Sequence, residues 1–330
     1  MQLGAAMWRV IIVVLFGCCA DATPVASSHD VSIIVEPDGR KGQQILDAIG
    51  NAQHAISVEL YQLGDRRVID ALAARAKDGV DVTVVLDGSA ANREWNQDAY
   101  DRLHAAGARV GWSNPSFTYT HTKVIVADDA AWIMTMNANV SSPLDNREYL
   151  AIDRDPADVA EARAIVAADL AGTSPDTRGD LVVSNANARP RIGALIQSAR
   201  ATLDVEVEEL GDGSIAALIA RAARDGVRVR VVLARADLTP WQLDAVDAIL
   251  QAGGRVVESG PDANHRDPDH PYIHAKTIIV DGEVAFVGSE NLSSTSLGAN
   301  REVGVVVSDP HEVGKIVDAV ETDFEAGTGL

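Results

Sequence analysis

Residues 272–281 read YIHAKTIIVD and are followed by the tetrapeptide GSEN at residues 288–291, and this pattern is the starting point for predicting the fold. His274 and Lys276 lie two positions apart, so their side chains point to the same side of an extended backbone. Residues 277–280 are all β-branched, which favours a buried strand. This stretch therefore predicts a strand that begins beside an imidazole and an ammonium group and ends at a turn of small polar residues.

A second copy of the stretch lies earlier in the chain. Residues 119–128 read YTHTKVIVAD, and residues 134–137 read MTMN, so Met-Thr replaces Gly-Ser. Both copies carry His-x-Lys-x4-Asp, with a tyrosine two positions before the histidine. The chain has five lysines, and two of them, Lys123 and Lys276, follow a histidine at this spacing. A paired motif inside a repeat indicates function far more strongly than a single short match does.

The similarity between the two halves extends beyond these motifs. Three pairs of segments are each offset by 147 residues, namely 56–60 with 203–207, 77–86 with 224–233, and 103–107 with 250–254. The motif histidines are offset by 153, so the second copy has six extra residues before its motif. Each half alternates β-branched runs with alanine-rich helical stretches, such as a predicted helix over 67–78 and a predicted strand over 80–86. This alternation predicts an α/β fold with helices on both faces of a parallel or mixed sheet.

Four segments follow from this pattern. Residues 1–30 are predicted to be a leader and short tether, residues 31–171 a first domain, residues 172–180 a linker, and residues 181–330 a second domain. The linker reads GTSPDTRGD and is rich in residues that favour turns.

The leader contains an apolar run at residues 10–16, which is shorter than the roughly 20 residues of a membrane span and resembles a signal-peptide core. Residues 15–18 resemble a bacterial lipobox with Cys18 as the lipid-modified residue, and ordinary signal cleavage after Ala22 is the alternative. Either case predicts a bacterial protein that is exported, as a cell-envelope lipoprotein or as a secreted enzyme. The two cysteines both lie in this leader, so the rest of the chain has no disulfide.

The formal net charge of −20 disfavours broad electrostatic binding of nucleic acid, without excluding a local basic pocket. The chain has no Gly-rich phosphate loop, which disfavours the use of nucleoside triphosphates. The loop at residues 265–270 contains two histidines and two aspartates, but their spacing fits a solvated, substrate-shaping loop better than a metal site.

The paired motif resembles the HKD signature of the phospholipase D superfamily. The resemblance implies two α/β/α sandwich domains with mixed sheets, related by a pseudo-twofold axis, with a shared active site at their interface. It also implies a two-step reaction through a phosphohistidine intermediate. By this resemblance His121 attacks phosphorus and His274 acts as acid and base, although the symmetry of the sequence leaves an exchange of these roles open. Glu148 and Glu302 are implied to orient the two imidazoles.

The residue types fit this chemistry. Cleavage of a phosphodiester needs a nucleophile, a proton donor and positive charge around the phosphoryl oxygens. Lys123 and Lys276 supply that charge, so we expect no metal and no other cofactor. Neutral donors for the same oxygens are predicted at Asn137, Asn291, Ser289 and Thr135.

The remaining motif residues have predicted roles of two kinds. Tyr119 and Tyr272 are predicted to line the cleft, with packing beside the motif as the alternative. Asp128 and Asp281 are predicted to be structural, because a residue five positions along a strand points away from the face of the lysine.

These features predict a metal-independent phosphoric diester hydrolase, a phospholipase D that releases phosphatidic acid and the head-group alcohol, with transfer to other alcohols as a side activity. The alternatives are an endonuclease of the same superfamily, a cardiolipin synthase-like phosphatidyltransferase, and a catalytically inactive binding module. We rank the synthase lower here because such enzymes carry membrane spans, which the sequence does not show after the leader. The expected substrate is a phospholipid, with association at a membrane surface and a monomeric enzyme.

Overall fold

Two mixed β-sheets, one from each half of the chain, form the framework of the computed structural model, which describes residues 30–263, 265, 267 and 270–330. The strands of the first half are β1 (Val31–Glu36), β2 (Ala55–Leu60), β3 (Asp81–Leu86), β4 (Arg109–Trp112), β5 (Lys123–Ala127), β6 (Ala130–Met134) and β7 (Asn146–Asp153). Its helices are α1 (Gln43–Asn51), α2 (Arg66–Lys77), α3 (Arg93–Ala105), α4 (Ser142–Asp145) and α5 (Pro156–Ala171).

The second half repeats this order. Its strands are β8 (Val182–Val183), β9 (Thr202–Val207), β10 (Arg228–Arg235), β11 (Arg255–Asp262), β12 (Tyr272–Ile273), β13 (Lys276–Val280), β14 (Val284–Gly288), β15 (Val303–Val307) and β16 (Thr328–Gly329). Its helices are α6 (Ala188–Ser198), α7 (Gly213–Arg224), α8 (Pro240–Gln251), α9 (Ser294–Gly298) and α10 (Pro310–Ala326).

The two sheets have the same topology. The first runs β1-β7-β6-β5-β2-β3-β4, and the second runs β8-β15-β14-β13-β9-β10-β11 with β16 added at its edge. In each sheet three parallel strands continue into antiparallel ones, and the motif strand, β5 or β13, lies at this change of direction. The predicted fold class, two pseudo-twofold-related α/β sandwich domains with mixed sheets, is therefore confirmed.

Three apolar layers hold these sheets together. Helices α1 to α3 cover the outer face of the first sheet, and α6 to α8 cover the outer face of the second. The inner faces of both sheets share a central core with α5 and α10, which contains β-branched residues of both motif strands, such as Val124 and Ile279. Because apolar burial is the main favourable term in folding, this shared core fixes the two halves against each other.

The chain also crosses between the halves at the two motif loops. Strand β12 of the second half pairs in parallel with β7 of the first, with Tyr272 opposite Asn146. In the opposite direction, Thr120 of the first half forms a bridge with Arg301 of the second. Each motif histidine is therefore carried on a loop that is docked onto the other half.

Some predictions fall on residues that the structure leaves undescribed. The leader, apart from Asp30, and the lipidation site Cys18 lie outside the described residues. In the loop of residues 265–270, His265 and His270 are described, and each pairs with the aspartate three positions before it. Within the described ranges, no helix combines the length and the apolarity needed to cross a membrane.

Candidate active site

The backbone places both motif histidines at the junction of the halves. The backbone N–H of His121 donates to the carbonyl of Arg301 at 2.8 Å, and that of His274 donates to the carbonyl of Arg147 at 3.3 Å. Both arginines belong to the repeated Asn-Arg-Glu segment of the opposite half. Since each histidine is held by the other half, the site is complete only when the two halves are docked.

The imidazoles are oriented by glutamates in the same crossed manner. Nδ1 of His121 lies 2.8 Å from Oε2 of Glu302, and Nδ1 of His274 lies 3.0 Å from Oε2 of Glu148. Both carboxylates are fully buried, and each also accepts a hydrogen bond from the asparagine two positions before it. A carboxylate at Nδ1 fixes the tautomer that leaves Nε2 free for chemistry. Each glutamate thus contacts the histidine of the other copy rather than that of its own.

The two lysines are fully buried, which is rare for an ammonium group. Nζ of Lys123 donates to the carbonyl of His121 at 2.7 Å, and Nζ of Lys276 donates in the same way to the carbonyl of His274. Burial, followed by the neighbouring charge of Lys276, lowers the pKa of Lys123 to about 7. Burial also lowers the pKa of His121, with Lys123 adding to the effect. His121 is therefore neutral near pH 7, which is the form that a nucleophile requires.

The amides of Asn137 and Asn291 lie on the turns after β6 and β14. In each, the side-chain oxygen is buried and has no hydrogen-bond partner among the described residues. Nδ2 of Asn291 lies 3.4 Å from a carboxylate oxygen of Glu208. Because buried polar groups are normally paired, these two amides have unused hydrogen-bonding capacity at equivalent positions.

The hydroxyls of Thr135 and Ser289 have partners other than the predicted substrate. Thr135 Oγ1 donates to Glu148 at 2.5 Å and accepts from the backbone N–H of Tyr149, whereas Ser289 Oγ accepts from the backbone N–H of Val303. Both side chains are fully buried. These hydroxyls join the ends of β6 and β14 to the segments that carry Glu148 and Glu302, and their predicted contact with substrate stays a prediction.

Asp128 and Asp281 lie on the turns after the motif strands, both with positive φ. The carboxylate of Asp128 accepts three backbone N–H groups at residues 53–55, and that of Asp281 accepts three at residues 200–202. These bonds fix the start of the neighbouring strand, β2 or β9. The geometry agrees with the structural role that we predicted for both residues.

The tyrosines of the two motifs have different surroundings. Tyr119 packs edge-on against Tyr61, whose ring covers His121 at a centroid distance of 4.6 Å. The Tyr272 hydroxyl donates to Glu208 at 3.1 Å, and its ring lies 6.4 Å from that of His274. Tyr272 therefore forms part of the polar lining beside His274, whereas Tyr119 packs against Tyr61.

Two residues of the site, Tyr61 and Glu208, were not predicted. They occupy the same place in the internal repeat, directly after β2 and β9. Nζ of Lys276 donates to Glu208 at 2.8 Å, and Nζ of Lys123 lies 5.1 Å from the centre of the Tyr61 ring. A comparison of residues 59–61 (ELY) with 206–208 (EVE) could have identified the position, because a carboxylate replaces an aromatic ring there.

Below the site, buried ion pairs support the two arginines that hold the histidine loops. Arg301 pairs with Asp169 of α5 at 2.7 Å, and Arg147 pairs with Asp323 of α10 at 2.5 Å. Glu59 and Glu206 lie beside these pairs and are fully buried, so neither reaches the cleft nor lies on an exposed edge. The network ties helices, sheet and histidine loop into one unit.

Comparison with known proteins agrees with this geometry. The family model described as "Cardiolipin synthase, PLD-like domain" matches residues 45–170 and 192–327. The chain belongs to the phospholipase D superfamily.

Relatives and solved structures add detail. The chain is 34% identical over 113 residues to a cardiolipin synthase of Listeria monocytogenes serotype 4a (strain HCC23), which is 34% of this chain and 22% of the relative. It is 24% identical over 357 residues to "Major cardiolipin synthase ClsA" of Bacillus subtilis (strain 168), covering 90% of this chain and 70% of the relative. A phosphatidylserine synthase of Haemophilus influenzae Rd KW20 shares the fold, with a TM-score of 0.67 at 15% identity, over 91% of this chain and 87% of that chain.

These comparisons correct the predicted function. We expected a hydrolytic phospholipase D, whereas the matched relatives are named cardiolipin synthases. The paired motif could not reveal this difference, because water and an alcohol attack the same intermediate. The low rank that we gave to the synthase, based on the missing membrane spans, was wrong.

The expected location is corrected as well. Export as a lipoprotein or as a secreted enzyme suited a degradative phospholipase, but the matched relatives are cardiolipin synthases. The residues on which that expectation rested lie outside the described part of the chain.

Proposed function

We propose that this protein is a phosphatidyltransferase that moves the phosphatidyl group of a phospholipid onto an alcohol, in a reaction similar to cardiolipin synthesis. The observation that carries this proposal is the crossed pairing of His121 with Glu302 and of His274 with Glu148. It gives one centre two oriented imidazoles with two buried ammonium groups, the set that a two-step transfer requires. The match to cardiolipin synthases supports transfer over hydrolysis.

In the first step, Nε2 of neutral His121 attacks phosphorus and the bond to the head-group oxygen breaks. His274 gives its proton to the departing oxygen, so the head group leaves as an alcohol. In the second step, a hydroxyl of the acceptor attacks the phosphohistidine and passes its proton to His274, and the bond to His121 breaks. Lys123 and Lys276 balance the charge of the phosphoryl oxygens throughout.

The acceptor in cardiolipin formation is a phospholipid whose head group is glycerol, and we assign that class of alcohol to the second step. Water must then compete poorly at the phosphohistidine. Burial of the histidines supports this condition, since the side chains of His121 and His274 are only 12% and 10% exposed. One chain supplies both half-sites, so a monomer suffices.

The described surface supports contact with a membrane. Large exposed apolar side chains lie on both sides of the site: Trp95, Val140 and Leu144 on the first half, and Trp241 and Leu243 on the second. Trp95 packs beside Gly64 and Trp241 beside Gly211, on the loops that follow Tyr61 and Glu208. Tryptophan favours the interface between water and lipid.

The test is incubation of the purified protein with phosphatidylglycerol vesicles, followed by analysis of the lipid and water-soluble products. We expect cardiolipin and free glycerol, and no product from either His121→Ala or His274→Ala, with the circular dichroism of both variants unchanged. Phosphatidic acid as the sole lipid product would contradict transfer. Cleavage of DNA in a parallel assay without lipid turnover would favour an endonuclease.

A further inference from the structure

Glu208 places a carboxylate where the donors of the second motif converge. Its Oε2 accepts a hydrogen bond from Nζ of Lys276 at 2.8 Å and lies 3.4 Å from both Nε2 of His274 and Nδ2 of Asn291. Its Oε1 accepts from the hydroxyl of Tyr272 at 3.1 Å. An ammonium, an imidazole nitrogen and an amide around one oxygen are the groups that bind a phosphoryl oxygen. The carboxylate therefore occupies an oxyanion position.

The first half holds no carboxylate at this place. Tyr61 is the repeat equivalent of Glu208, and its ring packs against His121 and Lys123. The two half-sites thus carry the same histidine, lysine and asparagine donors but differ by one negative charge. That difference is unexplained by the fold, because the backbone at the end of β2 and β9 is the same.

We propose that Glu208 competes with the phosphate of the substrate for this oxyanion position, so that an anion binds there only when Glu208 takes up one proton from solvent. An ionised carboxylate and an anionic phosphodiester cannot share the same three donors, since like charges in contact repel strongly. A protonated Glu208 can release the three donors and donate its O–H to the bound anion. This inference rests on the proposed function only in naming phosphate as the natural anion.

The charges around Glu208 fit this behaviour. Although burial opposes ionisation, His274 and Lys276 hold the pKa of Glu208 well below its usual range, with His121 adding to the effect. The other charged or titratable groups near Glu208 are Tyr61, Lys123, Glu148, Glu209 and Tyr272. Glu208 is therefore ionised in the free enzyme. An arriving anion offsets the cations that favour the ionised form, so proton uptake accompanies binding.

Sulfate is the probe, because it is an oxyanion that exchanges no proton of its own near neutral pH. Isothermal titration calorimetry in two buffers of different ionisation enthalpy gives both the affinity and the number of protons taken up. At pH 7 we expect the Glu208→Gln variant to bind sulfate at least about 100-fold more tightly than the native protein, whose carboxyl must first be protonated far above its pKa, and to take up about one proton fewer per sulfate. Glu283→Gln, which changes an exposed glutamate on the turn between β13 and β14, should behave as the native protein does.

Sulfate binding by Glu208→Gln that is no tighter than native, or an unchanged number of protons, would overturn the proposal. Glu208→Ala, which also removes the charge, provides a second variant if the glutamine does not fold, and thermal unfolding checks both. Absence of sulfate binding in both folded variants would show that the position is no oxyanion site. The assay contains no lipid, so a failure of phosphatidyl transfer would overturn the proposed function without changing this result.

Discussion

The imidazole of His121 is oriented by the carboxylate of Glu302, 181 residues further along the chain and in the other half of the molecule, at 2.8 Å. The reciprocal pair, His274 with Glu148, completes the exchange. Neither half could orient its own histidine alone. The two histidines are therefore both oriented only when the halves are docked.

Glu302→Gln should lower kcat for phosphatidyl transfer by about 100-fold. The ring of His121 becomes positively charged when its Nε2 attacks phosphorus, and a neutral amide stabilises that charge far less than a carboxylate does. KM should change little, since Glu302 is fully buried beneath the histidine. Steady-state kinetics on phosphatidylglycerol vesicles provides the measurement. Glu283→Gln, on the exposed turn between β13 and β14, is the control, and a kcat of Glu302→Gln equal to that control would contradict the role.

The low pKa of Lys123, about 7, predicts a decline of activity on the alkaline side. Above this pKa the ammonium loses its proton, and with it the charge that offsets the phosphoryl oxygens. We expect kcat/KM to fall as pH rises above about 7, and Lys123→Arg to shift or abolish this fall, because arginine stays protonated. If kcat/KM of Lys123→Arg falls above pH 7 as it does in the native protein, the fall is caused by a group other than Lys123.

The buried pair between Arg301 and Asp169 should be important for stability. Removing one partner leaves an uncompensated buried charge, so Arg301→Ala should lower the free energy of unfolding by about 3–5 kcal/mol. Denaturant unfolding measures this change. Arg178→Ala, which removes an exposed partner of Asp176, should have no measurable effect. A similarly small change in both variants would refute a structural role for the buried pair.

The exposed tryptophans Trp95 and Trp241 should contribute to membrane contact. The double variant Trp95→Ala/Trp241→Ala should bind vesicles about tenfold more weakly in a sedimentation assay, since both side chains lose apolar burial in the interface. Below the critical micelle concentration of a short-chain phospholipid, the double variant should turn over this substrate at the same rate as the native protein. Unchanged vesicle binding would show that these side chains face another partner or none.

Much of the fold follows from local sequence. The β-branched runs and the internal repeat predict the mixed α/β sandwich, and the spacing of His274 and Lys276 predicts that their side chains lie side by side. The structural role of Asp128 and Asp281 is also predicted from this pattern, although each lies on the turn after its strand rather than on the strand. These features depend only on periodicity.

Contacts that depend on how the halves dock could not be predicted in this way. The exchange of Glu148 and Glu302 joins residues that no local pattern relates. Within each half, the hydroxyl of Thr135 or Ser289 accepts a backbone N–H from the adjacent antiparallel strand, a pairing between distant residues that residue type alone does not predict. The motif does not distinguish attack by water from attack by an alcohol, so the predicted hydrolysis could be corrected only by comparison with relatives.

In the proposed mechanism, His121 and His274 act as nucleophile and acid on one phosphorus atom. An aryl phosphodiester with a nitrophenolate leaving group tests it directly, because this group departs without protonation. We predict that His274→Ala releases about one equivalent of nitrophenolate in a burst, then stalls with the phosphoryl group on His121, which mass spectrometry of the quenched protein would locate. His121→Ala should give no burst. A burst from His121→Ala, or an adduct on any residue other than His121, would contradict the account.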